Sequence, residues 1–468
     1  MEITDLRYFA SLAMDVGEKQ KPDEFEVYLQ YSDVAMIQIE NGRLGQISRT
    51  IDNGMGFRIA YGKQTGMGFT SKLEEEVITQ TIQNTAMTAQ KSRDNEEWLG
   101  LPERSGQPTN KVFSNQKLLG TPLEDLIEIS SDILTSCKVN RAQDPIIPVF
   151  GGVSLMGIKS IIMNSHGIDA ADEVSLFLCF LGALSVREGK PGPLHLDYRI
   201  SHEEILDDAN NFSVEVAKEA YKLANAKKVT VPRSVPVVLA PAALSSIGSF
   251  VFLPSVRADK KQQGNSFLAD RLGEEFLPRE LEMYDDGTRL ESIHSSNFDA
   301  EGIAKQKTVL FQDGIFQNFI YDFTSAAKDN TLSTGNAQRE DTSGVNPGDY
   351  ANIPSVGVNN WVVKPGNNEL DSLIKDIKYG ILINSIQGAH QGVPETGEFT
   401  GVINPGYIIK NGEITDPILG LGIAGNILDL FSNFEGATRI VKPGAGSLLG
   451  EYDSLLPHTC FREMRIVS

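Results

Sequence analysis

The sequence is poor in the residue types that define several specialised protein classes. Only three cysteines occur in 468 residues, at Cys137, Cys179 and Cys460. Because their number is odd and they are widely separated, a disulfide framework is excluded and reduced thiols are expected. The six histidines are also scattered, with no two within five residues of each other. This spacing excludes a local His-rich zinc motif.

Long hydrophobic runs and an excess of positive charge are missing as well. No window approaches the roughly 18 unbroken apolar residues that a membrane-spanning helix needs. The first residues, MEITDLRYFASLAMDVG, carry acids where a secretory signal has a basic region. Acidic residues outnumber basic ones by 62 to 42, and the resulting charge of −20 would repel a phosphate backbone. We expect a soluble, cytoplasmic protein with no membrane segment and no direct nucleic acid binding.

Two common enzyme motifs are absent, and a third is present but lacks the flanking residues that its function requires. Neither a G-x-S-x-G elbow nor a P-loop occurs. Residues 420–425 match the dinucleotide-binding pattern G-x-G-x-x-G, but Pro417 interrupts the approach and the following strand ends in Lys442 instead of an acid. We interpret these glycines as turn and backbone-packing residues.

The first half of the chain, residues 1–230, is predicted to be an α+β domain with an antiparallel sheet and packed helices. Alternation of apolar residues indicates strands, and apolar residues spaced three and four apart indicate helices. The predicted elements are a helix around Leu6–Ala13, strands over Glu24–Tyr61 turning at Asn41-Gly42 and Asn53-Gly54, helices over Leu73–Lys91 and Pro122–Ser136, strands over Val149–Val186 broken at Gly157 and at Ser165–Gly167, and a long helix in the segment His202–Lys228.

The second half, residues 231–468, is predicted to be a mostly antiparallel β domain, built as a barrel or a sandwich. Two prolines and a basic residue within Val229–Pro236 place the boundary near residue 231. Within this domain, Val402-Ile403 and Tyr407–Ile409 are predicted to form a hairpin around Pro405-Gly406. Asn411-Gly412 is typical of a tight hairpin turn, and Asn426 is a candidate N-cap for a short helix.

Several short fragments occur in an order that carries a family resemblance. They are Asp285-Asp286-Gly287, Ser333-Thr334-Gly335-Asn336-Ala337, Asn411-Gly412-Glu413-Ile414, Ile423-Ala424-Gly425-Asn426 and Glu463-Met464-Arg465-Ile466. From about residue 20 to the end, the chain resembles the TldD/PmbA family, often labelled modulators of DNA gyrase, which contains metallopeptidases. The fragments are individually short, so their order carries the resemblance.

The active branch of this family resembles a zinc peptidase with a helical His-Glu-x-x-x-His motif and a zinc-ligating cysteine near the C-terminus. Aligned on Gly264–Ser266 and Asp285–Gly287, the motif falls on Ser249–Pro254. Ser249 and Pro254 replace the two histidines, and Phe250 replaces the glutamate. These residues cannot ligate zinc or act as a base, and Pro254 is expected to break a helix. The chain therefore resembles the PmbA branch, also called TldE.

This resemblance implies that two different chains form the protease and have different roles in it. A TldD-like catalytic subunit would supply zinc and the general base, while this chain would carry no cofactor and would be no peptidase alone. The pair would cleave unfolded or flexible peptides, such as leader peptides or antitoxins, and a homodimer is possible when the partner is missing. Two alternatives stay open. One is an independently active metal-dependent hydrolase, and the other is a non-enzymatic peptide-binding or regulatory protein.

Two clusters could replace the missing metal ligands, and one stretch could contact a peptide. His458 and Cys460 offer an imidazole and a thiol two residues apart, and His390 lies near Glu395 and Glu398. The alternative interpretations are a loop histidine beside a buried cysteine, and a solvated turn. A peptide could add to a strand edge within Glu395–Tyr407, unless this stretch is an ordinary hairpin. The predicted substrate-facing residues are Glu395, Gly397, Phe399, Gly401, Gly406 and Tyr407.

Overall fold

The computed structural model describes residues 1–103, 106–138, 144–205, 209–339, 349–444 and 453–467. Its strands form a seven-stranded sheet from the first half of the chain, a thirteen-stranded sheet from the second half, and a separate two-stranded pair. The predicted α+β class is confirmed, with an antiparallel N-terminal sheet, packed helices and a sheet-rich C-terminal part. The strands of the two large sheets lie on either side of residue 231, although the domain boundary itself stays a prediction.

The N-terminal part consists of a long-stranded sheet in the order β3-β2-β1-β4-β5, with β6 and β7 both pairing with β5. All of these pairs are antiparallel. The elements are α1 (Ile3–Lys19), β1 (Glu24–Glu40), β2 (Arg43–Tyr61), β3 (Gln64–Thr70), α2 (Glu75–Ala89), α3 (Gln116–Leu119), α4 (Leu123–Cys137), β4 (Ile146–Asn164), β5 (Asp169–Arg187), β6 (Lys190-Pro191), β7 (His195–Ser201) and α5 (Ala209–Leu223).

The helices cover one side of this sheet, as their apolar spacing predicts. One core cluster joins α1 and α2 to the ends of β1, β2 and β4, around Phe25, Phe57 and Ile161. A second joins α4 and α5 to β4 and β5, around Val153 and Phe177. Burial of these faces stabilises helices whose isolated segments would be marginal in water. Each helix therefore owes its stability to the sheet.

Three sequence-based boundaries in this half are wrong. Asn53-Gly54 does not form a turn but lies inside β2, opposite Tyr31 and Gln30 of β1. Gly157 lies inside β4, where a Cβ atom would come within 2.9 Å of Leu119. The helix predicted from His202 does not include residues 202–205, and the described helix covers Ala209–Leu223. The His202 ring is instead buried in contacts with the backbone carbonyls of Ser175 and Ser292. In each case a distant contact outweighs the local pattern.

The C-terminal part is a branched, mostly antiparallel sheet in the order β11-β10-β9-β14-β22-β8-β15-β18-β19. Strands β20, β17 and β16 branch from β22, which also pairs with β21; only β14–β22 and β8–β15 are parallel. Its helices and strands are β8 (Ser234–Leu239), α6 (Pro241–Ile247), α7 (Leu253–Ser255), α8 (Ala258–Gln262), β9 (Met283–Asp286), β10 (Lys307–Gln312), β11 (Ile315-Phe316), α9 (Phe323–Lys328), β12 (Ala337-Gln338), β13 (Ser355-Val356), β14 (Asn360–Val363), α10 (Leu370–Ile374), β15 (Tyr379–Ile383), β16 (Ile386-Gln387), β17 (Glu398–Ile403), β18 (Gly406–Lys410), β19 (Glu413–Ile418), β20 (Leu421–Asn426), α11 (Ile427–Ser432), β21 (Phe434–Pro443) and β22 (Asp453–Val467).

The hairpin turn at Asn411-Gly412 and the N-cap at Asn426 are confirmed. Asn411 and Gly412 take positive φ angles of 52° and 80°, and the Asn426 side chain accepts from the N–H of Leu428. The hairpin predicted around Pro405-Gly406 is wrong, because β17 pairs with β16 and β20 while β18 pairs with β15 and β19. Proximity in sequence therefore does not determine strand pairing here.

The described helices give no indication of a membrane segment. None of them is both long enough and apolar enough to cross a bilayer.

A buried charge network joins the two halves of the chain. The Arg58 guanidinium on β2 donates to both carboxylate oxygens of Glu26 on β1, at 2.7 and 2.5 Å. Arg339, from the C-terminal part, donates to the same Glu26. Arg58 also lies 3.6 Å from Glu301, whose other oxygen accepts from the N–H of Phe323. All four side chains are almost fully buried, so each polar or charged group depends on its partners.

This network makes stability dependent on pH. Burial raises the pKa of Glu301 to about 8, against the opposing charge of Arg58 and with the help of Asp299 and Asp322. The folded protein therefore keeps the proton of Glu301 in a pH range where the unfolded chain, with a pKa near 4.5, has lost it. Its contribution to stability is full below the unfolded pKa and is lost as pH rises through the folded one.

We predict that Glu301→Gln changes the pH profile of the melting temperature. The amide stays neutral, so the difference between variant and wild type should move in favour of the variant from about pH 5 to about pH 8.5. Glu76→Gln, at an exposed helix position, is the control and should follow the wild-type profile. Parallel profiles for Glu301→Gln and wild type would show that Glu301 does not titrate in this range.

Gly54 and Gly56 of β2 pack directly against Tyr350 of the C-terminal part. A Cβ atom at Gly54 would lie 2.2 Å from the Tyr350 ring, and one at Gly56 would lie 2.0 Å from the Tyr350 carbonyl oxygen. Tyr350 is itself fully buried and joins a small cluster with Tyr28 and Ile303. The glycine at the expected turn therefore serves close packing between the two halves.

A double-mutant cycle should separate these two contacts. Gly54→Ala and Tyr350→Ala should each lower the melting temperature. The double variant should lower it by less than the sum of the two decreases, because removal of the Tyr350 ring relieves its clash with the new Cβ atom at position 54. In Gly56→Ala, the new Cβ atom would clash with the Tyr350 backbone, which Tyr350→Ala does not remove. The decreases in melting temperature caused by these two substitutions should therefore add. Equal coupling at both glycines would contradict this assignment.

Candidate functional site

The segment that aligns with the zinc motif is helical and contains one wide turn. Helix α6 continues through a π-turn over Gly248–Phe252 directly into α7. In this turn the N–H of Leu253 donates to the carbonyl of Gly248, five residues back. The helix break expected at Pro254 is therefore wrong. Pro254 is the second residue of α7, directly after the wide turn, and the chain stays helical through Ser255.

The wide turn determines which positions share a helix face. In an α-helix, residues five apart are nearly half a turn out of phase, whereas a π-turn brings them to about one full turn apart. Positions 249 and 254 therefore lie closer to a common face than they would in a regular helix.

The side chains at these positions do not fit a zinc ion. Ser249 is 4% exposed, and its hydroxyl has no hydrogen-bond partner among the described residues. Phe250 is half-buried and packs edge-to-face on the His390 ring, with centroids 6.1 Å apart. Pro254 has no ligand atom in its side chain. A neutral hydroxyl, a hydrocarbon ring and a proline replace the two imidazoles and the carboxylate that the motif requires.

The segment just before the stretch predicted to contact a peptide lies directly on this helix. The Ser255 hydroxyl donates to the Pro394 carbonyl at 2.8 Å, and a Cβ atom at Gly392 would lie 2.4 Å from Val251. His390 is exposed and contacts Phe250 from the same segment. The structure therefore brings the degenerate motif together with His390, a residue of the second candidate metal cluster.

The six predicted substrate-facing residues lie in two different places. Glu395 is exposed, while Gly397, Phe399 and Gly401 are buried at or within β17. Gly406 and Tyr407 belong to β18, where Tyr407 is buried and its hydroxyl bonds to Glu219. The outward face of β17 instead presents Glu398, Thr400 and Val402, because exposure alternates along the strand. A substrate-facing role for the six residues stays a prediction.

His458 and Cys460 lie on the opposite face of the C-terminal sheet from the motif helix. Cys460 pairs with Val238 and belongs to a cluster with Leu382 and Tyr407, whereas Val237 and Leu239 face the core that contains the motif helix. Residues alternate between faces along a strand, so the sheet separates Cys460 from that helix.

The protonation state of the thiol in this pair does not favour a metal site, because the thiolate is the ligating form. Burial and the nearby Glu435 charge together raise the pKa of the Cys460 thiol to about 12. Burial and Lys442 lower the pKa of His458 to about 4, so its imidazole is neutral. Across the described ranges, no group of three or more His, Cys, Asp or Glu side chains has the proximity that a metal ion needs. Two donors on one strand do not make a closed zinc site.

The G-x-G-x-x-G stretch forms a strand rather than a phosphate-binding loop. Residues 421–426 are β20, which pairs antiparallel with β17 and at its start with β22. Gly422 faces Val467 and Gly425 faces the Phe399 ring at distances that a larger residue would not allow. The interpretation of these glycines as packing residues is confirmed.

Two of the family fragments, Asp285–Gly287 and Ser333–Ala337, contribute to a buried hydrogen-bond centre. The Asn336 side chain donates to the Asp285 carboxylate at 2.6 Å and to the Gly357 carbonyl at 2.9 Å. The other Asp285 oxygen accepts from the N–H of Asn360 at 2.7 Å. These residues are fully buried, which raises the pKa of Asp285 to about 6. These two fragments therefore make buried contacts that hold the fold together.

Two family models match this chain, one in each half, and both describe the same family. Residues 232–468 match the family model described as PmbA/TldA metallopeptidase C-terminal domain, and residues 25–89 match PmbA/TldA metallopeptidase domain 1.

Individual relatives cover nearly the whole chain. A metalloprotease TldD homolog of Haemophilus influenzae is 25% identical over 430 residues, covering 89% of this chain and 85% of the relative. A metalloprotease PmbA homolog of the same organism is 25% identical over 445 residues, covering 92% and 90%. The crystal structure of TldE from Thermococcus kodakarensis has a TM-score of 0.89 at 23% identity, covering 97% of this chain and 100% of that chain. At this level of identity, the similarity shows a shared fold.

All three cysteines should be unreactive in the folded protein. Cys137, Cys179 and Cys460 are buried, and burial raises the pKa of each thiol, to about 12 for Cys137 and Cys460. Because the thiolate is the reactive form, we expect no rapid reaction with Ellman's reagent at neutral pH and three thiols per chain after denaturation. A fast-reacting thiol in the folded protein that disappears in Cys460→Ala would show an activated Cys460.

Proposed function

Because the chain belongs to the PmbA/TldD family of metallopeptidases, we propose that it acts as the PmbA/TldE-type subunit of a two-chain protease and carries no zinc of its own. The observation that carries the proposal is the motif helix. Its wide turn places positions 249 and 254 toward one face, but serine, phenylalanine and proline occupy the ligand and base positions. Residues without a zinc-ligating atom or a base therefore occupy the helix positions that align with the motif.

A TldD-type sister chain supplies the missing chemistry. Relatives named TldD homolog and PmbA homolog occur together in Haemophilus influenzae, and both align with about nine-tenths of this chain. A sister chain of this kind has the same overall layout and can carry an intact metal motif. Zinc when bound there provides Lewis acid chemistry and an activated water, and no step of that chemistry uses a side chain of Ser249–Pro254.

This chain contributes by holding an extended substrate. The segment 389–398 lies on the motif helix, and its exposed polar side chains, with the outward-facing Thr400 and Val402 of β17, form a surface that an extended peptide can lie along. Main-chain hydrogen bonding to such a peptide needs no particular sequence. Unfolded or flexible polypeptides in the cytoplasm, such as leader peptides or antitoxins, are the substrate class that fits.

The test compares the purified chain with a reconstituted pair. Alone, the chain should contain less than about a tenth of an equivalent of zinc by elemental mass spectrometry and should not cleave an unfolded polypeptide. Mixed with a TldD-type chain from the same genome, it should co-purify and cleave the polypeptide in a chelator-sensitive way. The matched control is a pair whose TldD-type chain has glutamine in place of its motif glutamate, which should assemble but not cleave.

Two results would overturn the proposal. Near one equivalent of zinc in the isolated chain, lost in Cys460→Ala, would place a metal site in this chain. Chelator-sensitive cleavage of the polypeptide by the isolated chain would show that this chain has peptidase activity of its own.

A further inference from the structure

A cleft of about 200 Å³ lies between the N-terminal sheet and the C-terminal part of the same chain. One wall is the side of the sheet that faces away from the helices, and the neighbouring strands β1, β4 and β5 contribute to it. The side chains on this wall include Tyr28, Gln30, Ile162, Ala170 and Asp172. The opposite wall comes from within residues 293–300 and 337–339, together with Lys305 and Asp349. Both halves of the chain are therefore needed to form the cleft.

The Tyr28 side chain is buried, yet its hydroxyl has no hydrogen-bond partner among the residues that the structure describes. Tyr28 is 8% exposed and lines the cleft. Its ring packs in an apolar cluster with Ile162 and Ala170, which leaves the hydroxyl as the polar group that Tyr28 presents to the cleft. Buried polar groups in native proteins normally have a partner. An unpartnered phenol in a cleft therefore indicates a binding position for a polar group.

The Asp349 carboxylate acts on this hydroxyl and has no ion-pair partner in the described part of the chain. Burial and, next, the Asp349 charge raise the pKa of the Tyr28 phenol, which places the two groups within electrostatic range. One Asp349 oxygen accepts from the Gln30 amide at 2.8 Å, and the described residues offer no partner to the other. Burial also raises the pKa of the Asp349 carboxyl. A bound cation would therefore stabilise this carboxylate.

The two cations that line the cleft are engaged elsewhere. The Arg339 guanidinium stacks on the Tyr28 ring, with its Cζ atom 4.5 Å from the ring centroid. Its nitrogens donate to two backbone carbonyls and to the Glu26 carboxylate. Lys305 donates to a backbone carbonyl, and its charge favours the ionised form of Asp172. Within the described ranges, neither cation pairs with the carboxylate beside the phenol, which leaves that carboxylate open to a ligand.

We propose that the cleft binds a primary ammonium group, which pairs with the Asp349 carboxylate and donates to the Tyr28 hydroxyl oxygen. An ammonium group has three N–H donors and no acceptor, so it can bond to both oxygens at once. Its hydrogen bond to a carboxylate belongs to the stronger, charge-assisted kind. A guanidinium fits less well, because its planar fork uses both oxygens of a carboxylate and one Asp349 oxygen already accepts from Gln30.

The apolar part of the wall defines the rest of the ligand. Ile162 and Ala170 lie beside Tyr28 across β4 and β5, so methylene groups attached to the ammonium would contact hydrocarbon. The ligand class is therefore an aliphatic amine, either a free amine or the lysine side chain of a polypeptide. The site does not depend on the proposed protease role, because zinc and peptide cleavage take no part in it.

Binding of n-butylammonium to the full chain tests the proposal, measured by saturation-transfer difference NMR. The wild type should bind it saturably, and n-butanol, which lacks the charge, should not compete. Asp349→Asn should weaken binding roughly tenfold or more and Tyr28→Phe about threefold, because they remove the charged and the neutral partner respectively. Tyr28→Phe keeps the ring against Arg339, so it keeps the proposal testable if Asp349→Asn fails to fold.

Asp172→Asn is the matched control. Asp172 lines the same cleft, but its two oxygens already accept from the backbone and the side chain of Asn297. Its substitution should leave the affinity for n-butylammonium unchanged. If the amine responded only to the negative charge of the cleft, both Asn variants would weaken binding equally, and that result would overturn the proposal. So would a wild type without saturable binding, or an unchanged affinity in Tyr28→Phe.

Competition distinguishes the two sources of the ammonium group. Displacement of n-butylammonium by Nα-acetyl-lysine amide would assign the site to a lysine side chain, and displacement by putrescine alone would assign it to a free amine. Both results support the proposal, whereas failure of both compounds to compete would contradict it. None of these measurements involves zinc or peptide cleavage, so their failure is distinguishable from failure of the proposed function.

Discussion

The arrangement of the two halves depends on one buried carboxylate, that of Glu26. Its oxygens accept hydrogen bonds from Arg58 of the same sheet and from Arg339 of the C-terminal part. Three ionised groups are thereby removed from water, which is tolerable only because each has a charged partner in hydrogen-bonding geometry. The contact aligns β1 with the C-terminal part, and the neighbouring Tyr350 fits against Gly54 and Gly56 because β1 and β2 are held in that register.

Two of the fragments that carry the family resemblance have a similar structural role. Asp285 and Asn336 come from these fragments and meet in the core. Buried polar groups need specific partners, so the two residues contribute to the fold. They do not by themselves identify an activity, because function depends on the residues of the site. In this chain those residues are Ser249, Phe250 and Pro254 on a helix that otherwise keeps its wide turn.

The face over the motif helix is polar and exposed, with His390, Glu395 and Glu398 at its surface. Under the proposed function, this chemistry suits transient contact with an extended peptide.

The sequence by itself determined the local features. Periodicity identified α1, α2, α4 and β1, and Asn-Gly marked the turns at residues 41-42 and 411-412, because helix faces, strand alternation and positive φ angles depend on neighbouring residues. The lack of zinc-ligating atoms at positions 249, 250 and 254 also follows from residue identity alone. Only the tertiary structure decided that a third Asn-Gly, at 53-54, stays extended, since the cause is Tyr350 nearly 300 residues away. It also decided which sheet face holds Cys460 and which strands pair with β17. These outcomes depend on contacts between distant segments, which local pattern does not encode.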